Sequence, residues 1–342
     1  MSIYDWIEPA KAQLTGDSKR VGTHIFMYSL FQDKLKEATS GRDYAAEVGE
    51  AWFEMLFQHF RLQRLLFWET DYDKALEEAV AATVRMRDET FRDFPQRICL
   101  HEDLISAYLG IDPVGYAGLI EQALNYMEQE MQPDVSCRFC LLAHRFELQL
   151  ACGQKQQARD VAETYLVQSE NQNDHHWSDA CLKLCQISFQ QQDWESLHRW
   201  SRVGEDVARR NKKTEDVMEH LAWQAVAQAE LGNSAEATRL FNASLATESN
   251  RMPETTYDAH VGYHEAMGQL ADAAAVRTRQ IEAMRNSGQM HFLALAHIDH
   301  CRLLAKSGQP IDEAQAAAEA AINHQKEPAL YQRWLADALG HQ

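Results

Sequence analysis

Apolar residues recur along this chain at steps of three and four, in runs separated by short polar turns. Ala117, Ile120, Leu124, Met127 and Met131 mark one such stripe. Leu197, Trp200, Val203 and Val207 mark another, followed by Ala237, Leu240 and Leu245, and by Ala273, Val276, Ile281 and Met284. This spacing puts each set on one face of an α-helix. The segments before the turns, such as VMEHLAWQAVAQAEL and DVSCRFCLLAHRFELQLAC, are helical in pattern too. Gly153, Gly232, Gly268 and Gly308 stand where the first helix of each pair should stop, because glycine readily takes the left-handed conformation that closes a helix.

The helix–turn–helix units have a period. A small or apolar residue opens the second helix of each at Ala75, Ala117, Ala158, Leu197, Ala237, Ala273 and Ala314. Successive spacings are 42, 41, 39, 40, 36 and 41 residues. One such hairpin cannot bury its apolar faces alone, so about seven of them must stack on one another to make a continuous core.

The unit ELGNSAEATRLFNASL resembles the middle of a tetratricopeptide repeat: Gly232 at the turn, Ala237 five residues on and Phe241 four after that. Ala225, Cys185 and Cys301 supply the small residue expected seven positions before a turn, and Leu221, Leu142 and Tyr257 the large apolar one four earlier. Elsewhere the pattern drifts. Ala79, Ala162 and Ala318 replace the second-helix aromatic, Gln149, Gln228 and His264 replace the first-helix aromatic that Tyr108 keeps, and the units exceed the usual 34 residues by about six. The resemblance implies an all-α fold: a right-handed α-α superhelix, a solenoid of antiparallel helix hairpins over residues 43–325. Residues 1–42, with the amphipathic RVGTHIFMYSLFQDKLKEA, are expected to cap its start, and 326–342, with PALYQRWLADALG, its end.

In that family the first helices line a concave groove that holds a partner's peptide or helix. Carried over, the groove positions fall on Arg64, Glu147, Gln186, Glu219, Thr255, Asp258 and Asp299. The function implied is a non-catalytic scaffold or adaptor with a protein or peptide partner. The long repeats behind an N-terminal helical segment are also similar to the cytosolic Rap-type peptide-sensing regulators of Gram-positive bacteria, although 1–42 is short for their N-terminal bundle.

Composition agrees with helices: 46 Ala stand against 26 Val plus Ile, with 7 Pro and 15 Gly. A net charge of −18 repels phosphate backbones and argues against nucleic acid. The N-terminus has no signal-peptide pattern, and no run of about 18 apolar residues would span a membrane. Seven scattered cysteines fit reduced thiols, so a cytoplasmic location is expected.

Chemistry-bearing motifs are few. Cys137, Cys140 and His144 share one side of a helix, with Cys181 on the corresponding helix of the next unit, and could offer zinc four ligands. Cysteine used as a small hydrophobe at helix contacts explains the same residues without metal or cofactor. His175–His176 and His297, His300 lack a ligand or catalytic pattern, and the HED at 101–103 has no second histidine four positions on. No phosphate loop or nucleophile elbow occurs. The basic 198–213 stretch reads as a solvated second helix. The aromatic 52–70 stretch reads as a helix buried beneath the N-terminal segment or, alternatively, as a binding face.

Overall fold

A computed structural model describes residues 4–30, 33–131, 137–170, 174–247 and 254–340. Among these, regular structure is wholly helical. The chain begins with α1 (Ile7–Gln13), α2 (Lys19–Leu30), α3 (Lys34–Glu47), α4 (Ala51–Arg64), α5 (Tyr72–Arg85), α6 (Arg97–Ile111), α7 (Ala117–Glu130) and α8 (Cys137–Ala151). It continues with α9 (Lys155–Ser169), α10 (Asp174–Gln190), α11 (Trp194–Arg210), α12 (Thr214–Glu230) and α13 (Ser234–Leu245). The last five are α14 (Glu254–Ala266), α15 (Leu270–Met284), α16 (Met290–Lys306), α17 (Asp312–Ile322) and α18 (Pro328–Ala338). They form two compact units, Met1–His144 with Ser287–Gln289, and Arg145–Asn286 with Met290–Gln342, so the division falls inside α8.

In the first unit, α2 packs on α3, α3 on α4, α5 on α6 and α6 on α7. The single amphipathic helix expected near residue 21 is instead two helices, α2 and α3. Asp33 caps the second by accepting the Lys36 amide at 3.0 Å, a role that favours a helix start over continuation. The expected boundary at residue 42 falls within α3. There Gly41 is buried hard against the Phe57 ring, so α3 is a partner of α4. Leu14, Val21, Ala45, Phe53, Leu56 and Phe57 form the core here, with Trp6, Ile7 and Ile25 packed on it. The aromatic stretch is therefore covered by the N-terminal segment along α4 but not beyond it. After Arg64 the helix widens into a π-turn, Leu65–Glu69, and ends at Thr70 with φ 52°. The wider turn changes the register of side chains on the helix face. Phe67 and Trp68 project into solvent, Trp68 with 60% of its surface exposed.

The second unit is a succession of hairpins. Each helix from α9 to α13 packs on the next, α12 also packs on α14, and the series runs on through α15, α16, α17 and α18. The sequence anchors recur at one structural position. Ala158, Leu197, Ala237 and Ala273 are each the fourth residue of a second helix, and each is completely buried; in the first unit Ala75 holds the same place in α5. Ala117 and Ala314 are out of step, being the first and third residues of α7 and α17. Ala225, Cys185 and Cys301, the expected small positions, have no exposed surface.

The turn itself is a Schellman closure. Gly232 has φ 84°, its amide donates to the Ala229 carbonyl at 3.0 Å, and the Asn233 amide donates to Gln228 at 2.8 Å. The same pair of bonds recurs at Gly153, Gly268 and Gly308. At two turns without glycine, Gln192 (φ 58°) after α10 and Lys212 (φ 57°) after α11 take the left-handed conformation, at a penalty of roughly 1–2 kcal/mol.

Histidines share the register. His220 on α12, His260 on α14 and His300 on α16 follow at forty-residue intervals. His220 has no exposed surface and sits against Gly204 of α11, where a Cβ would stand 2.0 Å from its Cε1. Ser178 Oγ lies 3.3 Å from its Nε2 and donates to Asp216 at 2.8 Å. Burial lowers the pKa of His220 to about 3 and that of His260 to about 4, so both rings are neutral packing elements near neutral pH.

Gly204→Val should therefore force α11 from α12 and destabilise the protein by about 1–3 kcal/mol, the range for overpacking a filled core. Urea unfolding followed by far-UV circular dichroism checks this, and an unchanged midpoint would contradict the close approach.

Candidate functional site

The first helices of the second unit carry most of the positions singled out in the sequence, and Glu147, Glu219, Thr255, Asp258 and Asp299 are each held by an internal polar contact. On α8, Glu147 accepts from Lys183 Nζ of α10 at 2.7 Å. Burial disfavours the Lys183 charge, but Glu147 and Asp179 more than offset it and raise its pKa. On α12, Glu219 accepts a short hydrogen bond from the Thr255 hydroxyl of α14, and Trp223 Nε1 approaches it at 3.4 Å. Glu147, Lys183, Glu219 and Thr255 thus form one polar row across α8, α10, α12 and α14. Gln186 lies on α10 and is half-buried.

Glu219 does not face solvent as its groove position implied: only 4% of it is exposed. Every residue from Val217 to Ala227 is buried, because α12 is packed by α10, α11, α13 and α14. Burial raises the Glu219 pKa to about 7. Its hydrogen bonds and the Lys183 charge only partly compensate for lost hydration.

Asp258 and Asp299 converge on one cation. Arg277 of α15 is buried, with Nη1 2.7 Å from Asp258 and Nε 2.6 Å from Asp299. Asp299 also accepts from Arg302 Nε at 2.6 Å, and Arg302 and Lys306 both bind Glu265. These two carboxylates therefore point toward a second helix and neutralise its buried charge. Asp258 nonetheless keeps nearly half its side-chain surface in water. Arg64 belongs to the other unit, where its guanidinium lies 4.3 Å from the centroid of the exposed Trp68 ring.

The suggested zinc ligands are dispersed into other roles. Cys137, the first residue of α8, is buried. Cys140 is half-buried, and His144 Nε2 is 3.8 Å from the Glu102 carboxylate. Cys181, on α10, is fully buried, and burial pushes its thiol up to about 12. Among the described residues no group of three or more His, Cys, Asp and Glu is arranged to hold a metal ion. The His175 side chain lies outside the described residues. His176 Nδ1 meets the Tyr165 hydroxyl at 3.2 Å, and His300 lies 3.4 Å from Thr278.

The first unit also holds a buried network that the hydrophobic pattern does not reveal. Tyr4 Oη is 2.9 Å from His59 Nε2, His59 Nδ1 is 2.7 Å from Asp103 Oδ2, and Gln63 donates to Asp103 Oδ1 at 2.8 Å. Asp103 and His59 are both buried. Burial opposes protonation of His59, yet the Asp103 charge and hydrogen bond, with Glu102 nearby, raise its pKa. The available signal was Glu102–Asp103 in the middle of RICLHEDLISAYLGI, a helix otherwise apolar on most sides. The signal for Lys183 was similar, a single Lys or Arg inside an apolar helical run.

One further feature is a depression of about 470 Å³ lined by Trp177, Val203, Asp206, Val207 and Arg210. It is lined by α10 and α11. Comparison with protein-family models and with curated protein sequences gives no match.

The raised pKa of Glu219 has a definite sign. A carboxyl that titrates at 4.5 unfolded and about 7 folded adds stability that is full below pH 4.5 and lost as pH rises through 7. Between pH 5 and pH 8 this group should remove about 2–3 kcal/mol. Glu219→Gln should flatten the pH dependence of urea unfolding by that amount, and parallel wild-type and variant curves would refute the assignment.

Proposed function

We propose that this chain is a non-catalytic interaction scaffold of the tetratricopeptide-like kind, its hairpins wound in a right-handed superhelix. Its first helices take up a peptide or helix of a partner protein in the cytoplasm. The observation that supports this reading is the packing of first helix on first helix, α10 against α12 and α12 against α14, with the second helices α11 and α13 flanking α12. Such stacking sets equivalent positions of successive hairpins side by side, which suits an extended ligand better than a compact substrate. The polar row across α8 to α14 and the half-exposed Asp258 supply hydrogen-bond acceptors for a peptide backbone or its basic side chains. Lys183 and Arg277 keep that row from being a purely repulsive acidic strip.

The experiment is capture of partners from native lysate on immobilised protein, followed by affinity measurement with the captured partner's binding segment. Glu147→Gln combined with Asp258→Asn preserves side-chain shape while removing the two most exposed acceptors. Binding should weaken at least about ten-fold, or about 1.4 kcal/mol, with unchanged circular dichroism. Equal affinity of the double variant would count against this face as the docking surface.

A further inference from the structure

In the first unit a short segment covers buried groups without being buried itself. Residues 4–6 form a turn that leads into α1, and from Tyr4 to Gln13 no residue is buried. Tyr4 keeps 39% of its surface in water. Phe94, Gln96 and Asp103 beneath it have no exposed surface, and His59 has almost none. Two side chains of the segment reach specific partners. Tyr4 Oη lies 2.9 Å from His59 Nε2, and Asp103 holds the other ring nitrogen at 2.7 Å. Trp6 Nε1 donates to Gln96 Oε1. The Trp6 indole stands edge-on to Trp52 and Phe94, at centroid distances of 5.6 and 5.8 Å, and lies 5.2 Å from Phe53. His59, Trp52 and Phe53 belong to α4 and Asp103 to α6, the first helices of consecutive hairpins, which pack on each other.

We propose, on the reading of first helices as a docking face, that this surface of α4 and α6 binds a partner peptide carrying tyrosine and tryptophan two residues apart. Residues 4–13 are then an intramolecular strap that occupies the site until such a peptide displaces it. The segment in place defines the chemistry of the ligand. Its phenol meets a buried imidazole, and its indole combines ring contacts with a buried amide oxygen. Tyrosine and tryptophan suit these seats because each joins a large apolar ring to one polar atom. A plain aliphatic segment would leave the buried His59 and Gln96 facing it without those two partners.

The strap is built to leave. α1 has seven residues, too few for a helix that persists alone in water, and its amino end has no side-chain cap. Ile7 and Ala10 add contacts with the core but stay half-buried. Leu14 is different: it is buried in that core, with extended backbone, and Thr15 and Gly16 (φ 54°) separate it from α2. Leu14 is therefore a fixed point, and the residues before it can detach while α2, α3 and α4 keep their packing.

The test uses the full chain and an acetylated synthetic peptide, IYDWIEPA, which matches residues 3–10 and contains no lysine or arginine. A tethered strap competes at an effective concentration on the order of millimolar, so the peptide is supplied at about 5 mM. On wild-type protein it should speed tryptic cleavage after Lys11 at least about five-fold, with unchanged circular dichroism, because a released strap is unfolded. The control peptide IYDAIEPA should leave the rate unchanged. Trp6→Ala, whose own strap lacks the indole, should bind fluorescein-labelled IYDWIEPA at least about ten-fold more tightly than wild type by anisotropy. No acceleration at Lys11, equal acceleration by both peptides, or equal affinity of a folded Trp6→Ala would overturn the proposal. The wild-type cleavage decides alone where that variant does not fold. A strap exchanged between two copies, seen as a dimer by size exclusion that the peptide does not dissociate, would overturn it too. Glu147 and Asp258 lie in the second unit, so a strap that resists the peptide leaves the result of the capture experiment standing.

Discussion

Small residues at the recurring helix contacts are the constraint on which much of this structure depends. Most of the completely buried residues there are small: Ala158, Ala237 and Ala273 at the start of second helices, with Leu197 the exception, and Cys185, Ala225 and Cys301 on first helices. A larger group at any of these points would separate two helices and open a void on both sides, since close-packed interiors do not absorb volume. Gly204 shows the limit of the rule, because the space it leaves is filled by the His220 ring from the facing helix. The abundance of alanine is thus a packing requirement as well as a helix preference.

Close stacking has an electrostatic consequence. When first helices pack against both neighbouring first helices and flanking second helices, polar groups on their faces lose water and must find partners within the protein. Glu219 turns to Thr255 and Trp223, Glu147 to Lys183, and Asp258 and Asp299 to Arg277. These carboxylates are therefore already engaged. On the proposed reading, a partner would have to exchange one set of contacts for another, which favours selectivity over raw affinity. The first unit solves the same problem differently, with an N-terminal tyrosine that completes a buried histidine–aspartate chain.

Much of the fold was legible because its signals are local. A glycine that must take positive φ marks its turn wherever it lies, and Gly153, Gly232, Gly268 and Gly308 all do so. The turns at Gln192 and Lys212 adopt the same conformation with no residue that announces it, since neighbouring helices hold them there. The break between α2 and α3 escaped the periodic pattern because Asp33 acts through one capping bond, and hydrophobic spacing does not register it. In the candidate site, the positions were legible but their directions were not. Asp258 and Asp299 occupy first-helix sites as expected, yet both are drawn to Arg277 on a second helix, a long-range contact without any local trace.

By itself the sequence determined the all-helical class, the approximate forty-residue spacing, the small residues at helix contacts and the four glycine turns. Each of these depends on residues within a few helical turns of one another. Only the tertiary structure decided which charges are buried, that Glu219 is enclosed and that Tyr4 reaches His59. Those outcomes depend on which helices become neighbours, and burial and pairing are properties of neighbours distant along the chain.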